Sequence, residues 1–219
     1  MNTNIVGGLT VAVLALALVL GGFGAGSALG HGAGGTTTVT STQTVTNSSA
    51  PYVLHLVIAT NSIFNSTAQD QPGYFVVGPN GLESSAKIAL PVNRTIELVI
   101  VNYDDGNANF TQPNINAVTG TVGNNIFIAN NDNINSSESS PSTFNLQGGQ
   151  TVSSVPADAV AHTFSVPSLG LNVPVEVSST VVAYFKIAHA GDFTWFCLTA
   201  CGDAAMQTAG WMTGTLAAS

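Results

Sequence analysis

Charged side chains are scarce in this 219-residue sequence, at 6% of all residues against roughly a quarter in a typical soluble domain. Lys87, Arg94 and Lys186 are the only lysine and arginine residues, and the formal net charge is −8. Three cations cannot form the basic patch that a phosphate backbone requires. The composition therefore excludes nucleic acid binding as the function of this chain.

Long apolar runs are equally scarce, because the chain has one, "IVGGLTVAVLALALVLGGFGAGSAL" at residues 5–29. It carries no charge and is long enough to cross a bilayer as a helix, so we predict a single transmembrane anchor within residues 1–30. The alternative is a signal peptide, since the small residues of "GAGSA" permit cleavage. If this segment is cleaved, the protein is secreted. The Gly/Thr/Ser-rich residues 31–50 predict a flexible stalk.

Five Asn-x-Ser/Thr sequons favour an exported, glycosylated protein over an intracellular one. With the N-terminal anchor, they predict a single-pass protein of the cell membrane whose C-terminal part is extracytoplasmic. The candidate glycosylation sites are Asn47, Asn65, Asn93, Asn109 and Asn135.

From Tyr52 onward the pattern changes to short runs rich in Val, Ile, Leu and aromatic residues, such as "YVLHLVIAT", "RTIELVIVNYD", "STVVAYFKI" and "GDFTWFCL". Gly, Pro, Asn and Asp separate these runs, and no long helical period is present. We therefore predict an all-β domain over residues 51–219, most simply a Greek-key β-sandwich. An Asn/Ser-rich insertion is expected at about 105–150.

Cysteine is nearly absent, and the two that occur lie in one stretch, "FCLTACGDAAMQTAGWM" at residues 196–212. Cys197 and Cys201 enclose three residues, two methionines follow, and His162 lies upstream in "HTFSVPSLGLNV". Imidazole, thiolate and thioether groups are the ligands of copper electron-transfer sites. A zinc site and a Cys197–Cys201 disulfide are the other interpretations of this pair.

These segments resemble the CuA domain of cytochrome c oxidase subunit II, a member of the cupredoxin superfamily. "HTFSVPSLGLNV" is similar to that family's first-histidine segment. "GDFTWFCLTACG" is similar to the strand that leads into its Cys-x-x-x-Cys-Gly, and "MTGTL" to its closing methionine strand. The anchored, Thr/Ser-rich layout is similar to that of sulfocyanins, which are membrane-anchored blue copper proteins. The resemblance implies a cupredoxin-like β-sandwich that binds copper.

The resemblance also implies a set of copper ligands in this chain. The backbone carbonyl of Thr199 is a further candidate, and Met206 is the alternative methionine. The family has a histidine four residues after its second cysteine, where this chain has Ala205, so the number of copper ions, one or two, stays open. The implied ligands are His162, Cys197 and Cys201, with Met212 as the weak axial ligand.

The function that the resemblance implies is one-electron transfer in a respiratory chain, by a carrier or a non-catalytic oxidase subunit rather than an enzyme. Its partners would be haem–copper oxidase subunits or a redox carrier. The alternative is a metal-free structural or adhesive cell-surface protein closed by the Cys197–Cys201 disulfide. We expect His31, His55 and His189 not to be ligands. Asp158 and Asp203 are expected to shape turns or to hydrogen-bond to ligands.

Overall fold

The computed structural model describes residues 50–60, 71–104, 106, 113–130 and 148–219, all of which belong to one compact unit, Ser49–Ser219. The predicted anchor lies outside the described residues, as does the predicted stalk except for its last residue. Among the described residues, no helix has both the length and the apolar character needed to span a membrane. The sequons at Asn47, Asn65, Asn109 and Asn135 also lie outside the described part.

The described chain forms two β-sheets. The larger sheet has the strand order β3-β2-β1-β5-β10-β6-β7, and the smaller has the order β4-β12-β11-β8-β9. The strands are β1 (Tyr52–Thr60), β2 (Pro72–Gly78), β3 (Gly81–Ser84), β4 (Lys87–Leu90), β5 (Thr95–Asn102), β6 (Ile126–Asn130), β7 (Gln150–Val152), β8 (Val160–Val166), β9 (Leu171–Glu176), β10 (Ser179–Lys186), β11 (Gly191–Phe196) and β12 (Thr213–Ala218). A short helix, α1 (Asp203–Gln207), precedes β12.

Apolar alternation explains why these segments become strands with one buried face. In β5, Ile96, Leu98 and Ile100 are buried and alternate with partly exposed residues, as expected for a period of two. They share one apolar core with residues of the smaller sheet, among them Phe164 and Trp195. The predicted all-β architecture is confirmed, and the two sheets are consistent with a cupredoxin β-sandwich.

Part of the predicted insertion at about 105–150 is built into the larger sheet. Ile126–Asn130 forms β6, which pairs with β10 through Ile128 and Val181 and with β7 on its other side. Ile126 and Ile128 are buried in the core. This part of the insertion is therefore a structural member of the sandwich, while residues 131–147 lie outside the described part.

One end of the sandwich collects the residues that the sequence analysis singled out. The strand β11 ends at Phe196, which pairs with Ser165 of β8, so Cys197 is brought beside the first half of β8. His162 lies in that half, and Asp104 follows the end of β5. Three segments distant in sequence therefore meet at this end.

Candidate metal centre

His162, Cys197 and Cys201 form one buried cluster, as the resemblance implies. Their ligand atoms all lie within 4.8 Å of one another. Nδ1 of His162 lies 3.2 Å from Sγ of Cys201 and 4.0 Å from Sγ of Cys197. The two sulfur atoms are 3.1 Å apart, and both cysteines are free thiols. The cluster thus presents one nitrogen and two sulfur atoms to a common centre.

Backbone hydrogen bonds hold the cysteine loop on both sides. The N–H of Cys197 donates to the carbonyl of Met212 at 2.8 Å, and the N–H of Leu198 donates to Oγ1 of Thr163 at 2.8 Å. The N–H of Cys201 donates to the carbonyl of Thr199 at 3.0 Å. This tight turn places both sulfur atoms on the same side of the loop, facing β8.

Thr199 contributes its side chain to the cluster as well as its backbone. Its hydroxyl oxygen lies 3.0 Å from the sulfur atoms of both Cys197 and Cys201 and donates to the carbonyl of Ala161 at 2.8 Å. The backbone N–H of Thr163 points at Sγ of Cys197 from 3.4 Å. The two sulfur atoms are therefore surrounded by polar groups within an otherwise apolar core.

Asp104 is the site residue that the sequence analysis missed. Its Oδ2 lies 2.8 Å from Nε2 of His162. Oδ1 of Asp104 accepts the N–H of Gly106 at 3.0 Å, and the N–H of Asp104 donates to Oδ1 of Asn102 at 3.0 Å. The available signal was a pair of adjacent carboxylates, Asp104 and Asp105, just beyond a strongly apolar strand. That signal does not identify its partner, which lies far away in sequence.

The two acids that were predicted to support the site lie elsewhere. Asp158 is exposed in the short 3-10 turn Ala157–Ala159, and Asp203 is the exposed first residue of α1. Both therefore lie in turns or helix ends, which was one of the two roles expected for them. Among the described residues, the carboxylate that reaches His162 is that of Asp104.

The cluster holds separated charges in the absence of a metal. Burial alone would lower the pKa of His162, but the hydrogen bond with Asp104 and the neighbouring Cys197 raise this pKa to about 9. Burial would raise the pKa of Asp104, yet the hydrogen bond and the charge of His162 hold it below its ordinary value. Near neutral pH, His162 is therefore an imidazolium ion bound to a carboxylate.

The two cysteines together hold one thiol proton. Burial opposes ionisation of Cys197, but hydrogen bonds from Cys201 and His162 hold its pKa well below the ordinary value. The pKa of Cys201 is raised, first because its thiol is hydrogen-bonded to Cys197 and then by burial. The pair therefore favours one thiolate and one thiol. Only a thiolate binds a metal strongly, so a metal ion that binds both sulfur atoms must displace the remaining thiol proton.

Met212 is the methionine that lies beside the cysteine loop. It is fully buried, and its N–H donates to the carbonyl of Ala205 at 3.1 Å. Met206 is only partly buried on α1. Ala205, where the family has its second histidine, is fully buried and offers a methyl group instead.

His55 and His189 are not members of the cluster. His55 is on β1, paired with Val99. His189 is exposed in the turn before β11, at the opposite end of that strand from Cys197. His31 lies outside the described residues. The chemistry of the cluster, two sulfur atoms and one imidazole nitrogen in a buried β framework, fits a soft ion such as copper.

Solved structures of copper proteins are similar to this chain, at low sequence identity. No protein-family model and no curated protein matches the chain. The periplasmic domain of cytochrome oxidase subunit II (CoxB) of Bradyrhizobium japonicum matches with 11% identity, 77% of this chain and 83% of that chain covered, and a TM-score of 0.33. Auracyanin B matches with 12% identity, 78% and 91% covered, and a TM-score of 0.32. Rusticyanin matches with 15% identity, 78% and 80% covered, and a TM-score of 0.31. These neighbours include a cytochrome oxidase subunit II domain, the family that the sequence resembles, but similarities of this size carry no argument about the family or the function of this chain.

Proposed function

We propose that this chain is a membrane-anchored, extracytoplasmic electron-transfer protein in which His162, Cys197 and Cys201 hold copper. The observation that carries the proposal is the buried cluster, whose nitrogen and two sulfur atoms lie within 4.8 Å of one another. Copper bound there supplies a one-electron couple, Cu(I)/Cu(II). Thiolate and imidazole ligands in a β framework suit that chemistry.

The residues of the chain then have separate roles. Cys197 and Cys201 supply sulfur ligands, and His162 supplies Nδ1 because its Nε2 is bound to Asp104. A carboxylate behind a ligating histidine fixes its tautomer and its ring orientation. The hydrogen-bonded cysteine loop resists movement, so little rearrangement accompanies a change of charge at the site. Met212 is the candidate for a weak axial ligand.

One copper ion per chain is the stoichiometry that these ligands favour. A second ion would need a further strong ligand, and Ala205 provides none where the family has histidine. The proposed partners are a redox carrier and the subunits of a haem–copper oxidase, which would perform any oxygen chemistry. Five sequons support an extracytoplasmic location, and among the described residues Asn93 is exposed between β4 and β5.

Metal loading of the full-length chain tests this function. The reduced protein is loaded with Cu(I) without oxygen and oxidised with a one-electron oxidant, and metal content, visible absorption and EPR spectra are recorded. We expect one copper per chain and a thiolate-to-Cu(II) band that reduction removes and Cys197→Ser abolishes. Met206→Leu serves as the control for Met212→Leu, and only the latter should shift the band.

The second candidate is a metal-free structural or adhesive cell-surface domain closed by a Cys197–Cys201 disulfide. It is favoured by the short separation of the two sulfur atoms, 3.1 Å, and by the missing histidine. Failure to bind copper, together with no titratable thiols in freshly purified protein, would support it. Two copper ions with a mixed-valence EPR spectrum would instead show that another group replaces the histidine.

A further inference from the structure

Tyr74 carries a buried hydroxyl group with no hydrogen-bond partner among the described residues. The side chain is fully buried in the core. A buried polar group without a partner destabilises the fold, so native proteins rarely retain one unless another state of the protein satisfies it. The tyrosine therefore needs an explanation that packing alone does not provide, since phenylalanine would pack equally well.

The ring of Tyr74 reaches from the larger sheet to the strands that carry the proposed ligands. It packs edge-on against Trp195, with ring centroids 5.3 Å apart, and against Phe164 at 5.9 Å. Trp195 is two residues before Cys197, and Phe164 is two residues after His162. Residues two apart on a strand share a face, so the phenol ring packs on the face of β8 that carries His162.

The segment around Tyr74 also lies along the loop in which a histidine is missing. The N–H of Tyr74 donates to the carbonyl of Trp211 at 2.8 Å. Three residues earlier, Oε1 of Gln71 accepts the N–H of Ala205 at 2.7 Å. Burial raises the pKa of Tyr74 well above its ordinary value, and the nearby Cys197 and Cys201 raise it further.

We propose that the hydroxyl oxygen of Tyr74 is a further ligand of the one copper ion that His162, Cys197 and Cys201 hold. The inference rests on the proposed copper function and specifies its ligand set. When the oxidised site forms, the phenol O–H bond breaks, a proton leaves to solvent, and the phenolate oxygen binds Cu(II). No electron is transferred in this step. A bound cation favours the phenolate, which explains why a hydroxyl unpaired in the metal-free chain is retained.

The test compares the full-length chain with Tyr74→Phe, which keeps the ring and removes only the hydroxyl. Tyr184→Phe is the matched control, because Tyr184 is 40% exposed and its hydroxyl donates to Glu97. In the Cu(II)-loaded wild type and the control, we expect phenolate vibrations in the resonance Raman spectrum, and their loss in Tyr74→Phe. The dissociation constant for Cu(II) should rise by at least about tenfold in Tyr74→Phe.

The metal-free proteins provide an independent readout. Because Tyr74→Phe removes an unpaired buried hydroxyl, its unfolding midpoint without copper should equal or exceed that of the wild type. A lower midpoint would show that the hydroxyl is satisfied within the fold, and the inference would be overturned.

Two outcomes of the copper experiments separate the inference from the function on which it rests. If the wild type binds copper with a thiolate band but shows no phenolate vibrations, the ligand assignment is wrong and the proposed function stands. If the wild type binds no copper, both are wrong. Weaker binding by Tyr74→Phe without phenolate vibrations in the wild type also overturns the assignment, because the tyrosine then acts without coordinating.

Discussion

The carboxylate of Asp104 lies 2.8 Å from Nε2 of His162, across 58 positions of sequence. Since one imidazole nitrogen is bound to this carboxylate, the other, Nδ1, is the nitrogen that faces Cys201 and Cys197. The pair therefore sets which atom of His162 a metal ion meets. The pair also places a positive imidazolium and a negative carboxylate next to each other inside the core. This charge arrangement changes when a metal binds.

Removing the charge of Asp104 should weaken copper binding. We expect Asp104→Asn to lower the affinity for Cu(I) by about tenfold to a hundredfold, because a ligating histidine loses the partner that orients it and raises its basicity. Competition with a coloured Cu(I) chelator measures this. Asp158→Asn is the control, since Asp158 is exposed, and its affinity should stay within about twofold of the wild type. Equal affinities for all three proteins would remove Asp104 from the site.

The same pair should give the metal-free protein a defined pH window of stability. The raised pKa of His162 contributes stability that is complete below its unfolded value of 6.5 and is lost as the pH rises through about 9. The lowered pKa of Asp104 contributes stability that is complete above 3.8 and is lost as the pH falls further. The free energy of unfolding of the wild type should exceed that of Asp104→Asn most between about pH 4 and 6.5. Denaturant titrations of both proteins across the pH range measure the difference, and a difference independent of pH would contradict the pair.

Copper loading should release protons. Binding of Cu(I) by both sulfur atoms and by Nδ1 requires the cysteine pair to lose its remaining thiol proton and His162 to lose the proton on Nδ1. We expect about two protons per copper near neutral pH, measured by calorimetry in buffers with different ionisation enthalpies. Cys201→Ser should release about one proton fewer if it still binds. No proton release by the wild type would mean that the charge arrangement of the cluster is wrong.

Thr163 should be a structural support of the cysteine loop. Its hydroxyl oxygen accepts the N–H of Leu198 at 2.8 Å and receives the hydroxyl of Ser165 at 2.9 Å, and the side chain is fully buried. Thr163→Val keeps the shape but leaves the Leu198 N–H without its partner, so the free energy of unfolding should fall by about 1–3 kcal/mol. Thr163→Ser retains the hydroxyl and should recover most of the loss. Identical stabilities for the two variants would show that the hydrogen bond contributes little.

Gly214 should be required for the position of Trp195. A Cβ atom at Gly214 would lie 2.5 Å from Nε1 of Trp195 and 2.6 Å from the carbonyl oxygen of Ser85, which accepts the indole N–H. Gly214→Ala should therefore destabilise the domain by about 1–3 kcal/mol and alter tryptophan fluorescence. Gly73→Ala is the control, because its Cβ would come no closer than 3.5 Å to a neighbouring atom. Equal unfolding midpoints for both variants would contradict this packing.

The local patterns of the sequence were enough to predict the strands and part of the cluster. The runs "RTIELVIVNYD" and "GDFTWFCL", rich in β-branched and aromatic residues, predict β5 and β11, since strand propensity is a property of neighbouring residues. The spacing of Cys197 and Cys201 and the resemblance around His162 predicted the three residues that the structure brings together. The proposed ligand roles stay predictions, as do the domain boundaries.

Tertiary structure alone decided which distant residues complete the site. Asp104 contacts His162 only because the last residues of β5 and the first residues of β8 lie at the same end of the sandwich. Tyr74 contacts Trp195 only because the two sheets face each other. Likewise, Ile126–Asn130 joins the larger sheet because β10 offers it a partner edge. The sequence determined that the chain is β and that imidazole and sulfur groups are present. Strand order and sheet packing bring residues that are far apart in sequence into contact. They decided which carboxylate and which phenol lie beside the imidazole and sulfur groups.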